Sequence, residues 1–517
     1  MSIAFPEVTA SLRADGVTAG LDPERILVVG QQTQGTATSG ALQQNILSEK
    51  TEDGLFGENS PIAAAIRRIR LVNSSTILDA IGLKDNDAGV ASEGAANFTG
   101  TATAPGNFTV FIGSKKINKY VLPVASGDTA TMIGEALVSA LSLDSKALVL
   151  GVNTAGTVVL SATTTGTFGN TIGIRVEGEV AGLTVALTAL TNGATDPVLI
   201  GVFDVVGKQR YQGIVWQFDQ DVAPLTAFLD PRFNISNDIL DGVGFISITD
   251  TLANHLTSLG SHNSKSLSYN AGFVVNDSDH RGPAILDLPF VQAAEFVGIR
   301  GLRRTDGAVL GDYVISRSSG DSFGGMHTNS KPYANTPFFN LLTPDVGDSF
   351  TNIEIAQLKD AGAWVIDANR AYANVIAGEV VTTYLTDVAG NPDPSFGFLN
   401  YVDSASVSRE YIVNNTRAQY PQYRATGGAL PPNLDAANEA SIAAFVAEKY
   451  SELGVEGLVN TGVGTVNGEQ VDYDKLFREN LTVSLNTVTG RFSVALKLYI
   501  VVQLRAIIYD MAVSFEI

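Results

Sequence analysis

No cysteine occurs among the 517 residues, so disulfides, thiolate nucleophiles and cysteine-based zinc sites are excluded. Histidine is nearly as scarce: only His255, His262, His280 and His327 are present. His255 and His262 can share one helical face, but no acidic residue stands between them with the spacing of a zinc protease. All four lie among Ser, Asn, Gly and Asp, which reads as loop surface rather than as metal or catalytic chemistry. Basic residues are also short: 33 Lys and Arg against 53 Asp and Glu leave a net charge of −20. The footprint that a nucleic-acid binder needs to displace counterions is therefore missing. The densest basic runs, Arg67-Arg68-Ile69-Arg70 and Lys115-Lys116, sit inside apolar periodic stretches and read as snorkelling side chains. No run of about 18 uncharged apolar residues exists, which excludes a membrane-spanning helix. The opening residues, Met1 to Glu7, have neither the basic nor the apolar stretch of a secretory leader, and the absence of cysteine is compatible with synthesis in a reducing cytoplasm.

Catalytic and cofactor motifs are missing in the same way. There is no G-x-x-x-x-G-K-[ST], no H-E-x-x-H and no G-x-S-x-G. Gly462 to Gly468 has the wrong third-glycine spacing for a dinucleotide fingerprint and reads as a loop. Asp85, Asp87 and Gly89 begin like a calcium loop, but the twelfth position is Ala96 instead of Glu. The carboxylate pairs Asp219/Asp221 and Asp277/Asp279 read as solvated loop residues. These observations point to a non-enzyme with no cofactor and no metal.

What is present is apolar material, 45% of the chain, enough for several packed cores. Charged residues are only 17%, well under the roughly 25% of an average soluble chain. With 51 glycines, that composition fits either a β-rich protein or one that buries its surface against copies of itself.

Six regions follow from the pattern: an extended arm over 1–25, the first part of a core over 26–94, an inserted β-domain over 95–196, an α/β region over 197–385, a C-terminal α+β region over 386–500 and a terminal arm over 501–517. Arg25 to Gly30 reads as a buried strand. Ser60-Pro61 opens a helix with Ser as the cap and Pro in the first turn, and Ile62, Ala65, Ile66 and Ile69 repeat at helical spacing. In the insertion, Phe108–Ile112, Ile117–Val124, Thr157–Ala162, Ile172–Glu177 and Leu183–Leu187 read as strands, with one helix over Thr129–Leu141 capped by Asp128. In the α/β region the strand candidates are Val198–Val206, Gly213–Trp216, Gly244–Thr249, Ala271–Val275 and Ala363–Asp367. Pro289–Gly301 and Asn352–Gly362 read as helices, the latter with Asn as cap. Such alternation favours a mainly parallel sheet covered on both faces. Helices are expected around Asp403–Asn415 and Ala436–Leu453.

The final 27 residues alternate as two strands, with Phe492, Val494, Leu496 and Leu498 in the first and Met511, Val513, Phe515 and Ile517 in the second. Read as the end of the chain, the second strand has no later hairpin partner. It either closes its own sheet or is donated to another chain by strand addition.

Three stretches resemble the contractile-tail sheath proteins of bacteriophages, closest to the Mu-like sheath family. The first is Gly378-Glu-Val-Val-Thr-Thr-Tyr-Leu-Thr-Asp387, followed by Asp393 and the helical Val402 to Ile412. The second is Ile353 to Ile366, a helix–Gly–strand unit. The third is the insertion, through Gly100 to Val110, Gly127 to Ala130 and Gly169 to Arg175. Together with the arms, the likeness covers most of the chain.

The resemblance implies a central subtilisin-like α/β domain without protease activity, and no Gly-Thr-Ser nucleophile turn is present. Ser322 lacks the small-residue helix that a nucleophile would need. It implies self-assembly as stacked hexameric rings around a tail tube protein, with baseplate and tail terminator proteins as further partners. The place implied is the virion, after assembly in the host bacterial cytoplasm. Contraction would then drive the tube through the host envelope, with terminal arms linking neighbours and Met511, Val513, Phe515 and Ile517 forming the donated strand. Ile442, Phe445, Lys449 and Tyr450 on the Ala436–Leu453 helix are candidate tube contacts, core packing being the alternative. The insertion is expected to project outward, away from the tube. Two competing readings are another self-assembling virion protein and a subtilisin-like hydrolase.

Overall fold

The computed structural model describes residues 23–501 except 115–117, 234–238, 306–308, 311–312, 315–332, 335, 339, 342–343, 345–346, 370–372, 432–433 and 467. The arm through residue 22, Lys115 and Lys116, Ser322, His327 and the donor strand Met511, Val513, Phe515 and Ile517 lie outside the described residues. The chain is mixed α/β. It divides into two units, one built from Pro23–Leu302 with Tyr333–Val402 and the other from the described residues of 303–332 and 403–501.

In the first unit, β1 (Arg25–Gln31) is followed by the short β2 (Leu42–Gln43), α1 (Glu49–Phe56), α2 (Pro61–Val72) and β3 (Ile77–Leu83). Ser60 caps α2 by accepting from the Ala63 N–H, Pro61 opens it, and Ile62, Ala65, Ile66 and Ile69 are fully buried, as the sequence pattern requires. The snorkelling expectation for Arg68 is corrected. Its guanidinium is buried and donates to Asp287 at 2.6 Å and Glu295 at 2.7 Å, because two buried carboxylates offer it what water would. Arg67 pairs with Asp53, and Arg70 approaches Glu52.

The insertion follows: β4 (Ala91–Gly100), β5 (Gly106–Ile112), β6 (Lys119–Val124), α3 (Ala130–Leu143), β7 (Val149–Thr154), β8 (Thr157–Thr165), β9 (Ile174–Glu177) and β10 (Leu183–Thr191). One sheet runs β10-β4-β8-β7 and the other ends in β9-β5-β6, with Phe98 against Phe108 at 5.8 Å. β4 and β7 are strands that the sequence pattern does not announce. β4 is Ala-Ser-Glu-Gly-Ala-Ala-Asn-Phe-Thr-Gly, small residues without β-branched alternation, and it is a strand because its neighbours supply the ladder. The cap of α3 is Thr129 rather than Asp128.

The chain returns to the core with β11 (Gly213–Trp216), α4 (Ala223–Phe233), β12 (Val243–Asp250), α5 (Leu252–Leu259), β13 (Leu267–Asn276), β14 (His280–Pro283) and α6 (Pro289–Thr305). Strands β3-β1-β11-β12-β13 and Ala363–Asn369 lie side by side, each pair parallel. Ile26 to Val29 and Ile214 to Val215 are wholly buried, the near-continuous apolar run of a sheet covered on both faces. The strand expected over Val198–Val206 is instead a chain of turns. Leu199, Val202, Phe203 and Val206 are buried at i, i+3, i+4 and i+7, a helical rather than strand period. Phe203 stacks on Phe228 at 4.3 Å and Trp216 at 5.5 Å. The helix Asn352–Asp360 is capped by Thr351 in a capping box with Glu354, one residue before the expected cap.

The second unit contains most of the helix Leu399–Gln419, the helices Glu439–Val455 and Tyr473–Glu479, and small hairpins. Its core joins Val407, Tyr411, Ile442, Val446, Tyr450, Leu453 and Phe477. The helix expected from Ala436 starts at Glu439, because Asn438 caps it by accepting from the Ser441 N–H. The strand expected from Phe492 through Leu498 is confined to Arg491–Ala495 and pairs antiparallel with Thr482–Asn486.

Candidate assembly interface

Among the described residues no group of three His, Cys, Asp or Glu side chains could hold a metal ion. Nor is any helix among them long and apolar enough to cross a membrane. The surface reading of the histidines is corrected for two of them. His255 is fully buried on α5, with its ring nitrogens 2.8 Å from the Tyr269 hydroxyl and 3.0 Å from the Gly272 carbonyl. Burial holds it below its ordinary pKa, so it is a neutral packing residue. His280 is buried against the Pro283 carbonyl at 2.9 Å, and His262 is half-buried. A loop-like composition misled because polar neighbours can face outward while the imidazole faces in.

Asp277 and Asp279 are exposed turn residues, and Asp221 serves the start of α4 by accepting from the Ala223 N–H. Asp219 accepts from Gln220 Nε2 at 3.3 Å, and desolvation pushes its carboxyl up to about 7. Asp85 is not poised for calcium: it accepts from Gln31 at 2.9 Å and from the Thr165 N–H at 2.8 Å. The loop reading of Gly462 to Gly468 is corrected in part: Val463–Val466 is a strand, paired antiparallel with Glu469–Asp472.

The candidate tube-contact residues separate into two groups. Ile442 and Tyr450 are buried in the second unit's own core. Tyr450 stacks on Phe477 at 3.7 Å and donates its hydroxyl to the Asn460 carbonyl at 2.7 Å. Phe445 is half-exposed, edge-on to Tyr420 at 5.6 Å, with the Lys449 ammonium 5.1 Å above its ring. Lys449 in turn pairs with Glu452 at 2.7 Å and Glu448 at 3.3 Å. Of the four, only Phe445 and Lys449 face outward at all.

A different element offers a built site for assembly. The hairpin of Thr482–Asn486 and Arg491–Ala495 forms a two-stranded sheet with no third strand among the described residues. Val483 and Phe492 pack on the second unit's core, while Val488 at its turn is 93% exposed. The Leu485 N–H points outward, where the Glu439 carboxylate accepts it at 2.8 Å. The alternation of an antiparallel ladder then turns the Val494 N–H outward on the opposite edge. One edge is thus partly capped by a side chain, and the other pairs with no strand among the described residues.

No family profile matches the chain. Among curated proteins, it is 23% identical over 480 residues to the Mu-like prophage FluMu tail sheath protein of Haemophilus influenzae, a match that covers 89% of this chain and 91% of that protein. The likeness to Mu-like tail sheaths is borne out. The chain is also similar in shape to the sheath tail protein of Desulfitobacterium hafniense, with a TM-score of 0.45 and 12% identity over 97% of this chain and 96% of that one. The helical sheath of the anti-feeding prophage in its contracted state gives a TM-score of 0.46 and 10% identity over 98% and 99% of the two chains. At TM-scores below 0.5 these shapes add no weight of their own, and the sheath reading rests on the sequence relative. None of these proteins is named as an enzyme.

Proposed function

We propose that this chain is the structural subunit of a contractile phage tail sheath. The observation that carries the reading is a likeness to a tail sheath protein that covers 89% of this chain and 91% of that protein. In this reading the subunits stack as hexameric rings around a tail tube, bounded by baseplate and terminator proteins. The parallel sheet of the first unit corresponds to a subtilisin-like domain that has no protease activity. The insertion projects outward from the tube. Triggering releases a metastable packing to a lower-energy one by rearranging subunit interfaces, with no nucleotide required.

Connection between subunits comes from strand addition. The terminal strand with Met511, Val513, Phe515 and Ile517 is donated to the open edge of a neighbour's Thr482–Asn486/Arg491–Ala495 hairpin, where backbone hydrogen bonds supply affinity and alternate side chains fill pockets. Such head-to-tail contacts are heterologous and generate rings or helices.

Electron microscopy of the concentrated protein, alone and with its tube, tests the reading. Hollow tubes with a regular ring repeat are expected from the full chain. Removal of 511–517 is expected to leave folded, dispersed subunits. Tubes formed by the truncated chain would reject strand donation, and dispersed full-length protein in the presence of the tube would reject the sheath itself.

A further inference from the structure

The insertion enters the chain between β3 and β11 and has its own two sheets, which is the usual form of a separable module. Its hydrogen bonds say otherwise. β13 starts as a core strand, parallel to β12 from Leu267 to Phe273 and to Ala363–Asn369 at Tyr269 and Asn270. Its last residues, Val274 to Asn276, pair antiparallel with β14. β14 then pairs with β9 through His280 and Arg281, and β9 pairs with β5. One ladder therefore passes from the parallel sheet into the insertion without a break. The strand that carries it across, β14, comes from about a hundred residues after β9 in sequence.

Two more joints flank that ladder. Gly282, at φ +115°, lies so close to Gly173 that a Cβ on it would stand 2.7 Å from the Gly173 Cα. Beside it, the Gly113 N–H donates to the Gly173 carbonyl, and Arg281 Nε donates to the Leu187 carbonyl at 3.2 Å. The third joint is a buried relay at the ends of β1 and β11. Gln217 Nε2 donates to Gln31 Oε1 at 2.6 Å, Gln31 Nε2 donates to both Asp85 Oδ1 and the Thr165 carbonyl, and Asp85 Oδ2 accepts from the Thr165 N–H. An ion pair of Lys146 with Glu49 ties the loop before β7 to α1.

We propose that the inserted β-domain and the parallel α/β sheet are one mechanical body, welded by the β13–β14–β9 ladder and the Gly173/Gly282 contact, so that a rotation or load applied to either is carried directly to the other. Joints of backbone hydrogen bonds and glycine-on-glycine packing have no slack in which a hinge could turn. A hinged module would instead be joined by exposed linkers with few crossing contacts. The consequence for contraction rests on the sheath reading; the weld itself does not.

Native-state hydrogen exchange of the dispersed full chain in rising denaturant tests it, whether or not tubes form. Amides of β5 and β9 are expected to open together with those of β12, with one common denaturant dependence. Arg281→Ala, which removes one hydrogen bond at the joint, is expected to raise exchange at β5 and β12 by the same factor, about fivefold. Gly282→Val is expected to raise both much further; if that chain fails to fold, Arg281→Ala decides alone. Exchange in β5 and β9 while β12 stays protected, or a response to Arg281→Ala confined to the insertion, would overturn the weld.

Discussion

The parallel sheet of the first unit and the Thr482–Asn486/Arg491–Ala495 hairpin of the second use the same backbone groups to opposite ends. In the sheet, Ile26 to Val29 and Phe245 to Ile246 are wholly buried, and the ladder continues from β13 through β14 into the insertion. In the hairpin, alternate residues of Thr482–Asn486 and every residue of Arg491–Ala495 except Phe492 are exposed, and among the described residues its sheet has two strands. The first region spends its hydrogen-bonding capacity on itself and draws stability from burial. The second has edges that no described strand pairs, and in the proposed assembly a neighbouring chain takes them up.

The comparison breaks most readily at Arg68. Arg68→Ala would leave Asp287 and Glu295 buried without their cation, at a cost of about 3–5 kcal/mol in chemical denaturation. A loss under about 1 kcal/mol would mean that the first unit does not depend on its buried ionic joint. A comparable effect is expected in the second unit from Tyr450→Ala, about 3–5 kcal/mol, because the ring is stacked on Phe477 in the core. Phe445→Ala on the same helix should cost no more than about 1 kcal/mol. If Phe445→Ala instead abolished tube docking with stability intact, the outward part of this helix would be assigned to the tube.

A third test uses pH. Glu52 is fully buried on α1 with neither carboxylate oxygen hydrogen-bonded, near Arg67, Arg70, Asp53 and Glu49. Desolvation comes first among the causes that push its pKa up to about 7. A folded-state pKa above the unfolded value means that the stability it contributes is fully present below about pH 4.5 and is lost as pH rises through 7. Glu52→Gln should flatten that loss, worth about 2 kcal/mol, in thermal melts from pH 5 to 8. An unchanged pH profile would place the titration elsewhere. The smallest effect on stability is expected at the open edge itself. Val494→Pro removes an outward N–H and no ladder bond, so it should shift stability by under about 1 kcal/mol while reducing tube yield. Normal tubes from that variant would move the acceptor to another edge.

Where local chemistry is decisive, the sequence was legible. Ser60 and Pro61 start α2, and Gly213 to Trp216 form a buried strand. The candidate site was legible only in part. Ile442 and Tyr450 carry the same helical periodicity whether they face a tube or a core, and their burial beside Phe477 is visible only in the structure. The acceptor hairpin escaped notice because Thr482–Asn486 is short and half-exposed.

By itself, then, the sequence determined the elements whose signals are local: caps, apolar periods, charge balance and the groups that chemistry would require. Only the tertiary structure decided which charges are buried in pairs, as for Arg68, and which small-residue segments become strands, as for β4. It alone decided that a strand near residue 280 completes a sheet begun near residue 106. The physical reason is that pairing, burial and open edges are relations between distant segments. A residue's own chemistry permits such relations without specifying its partner.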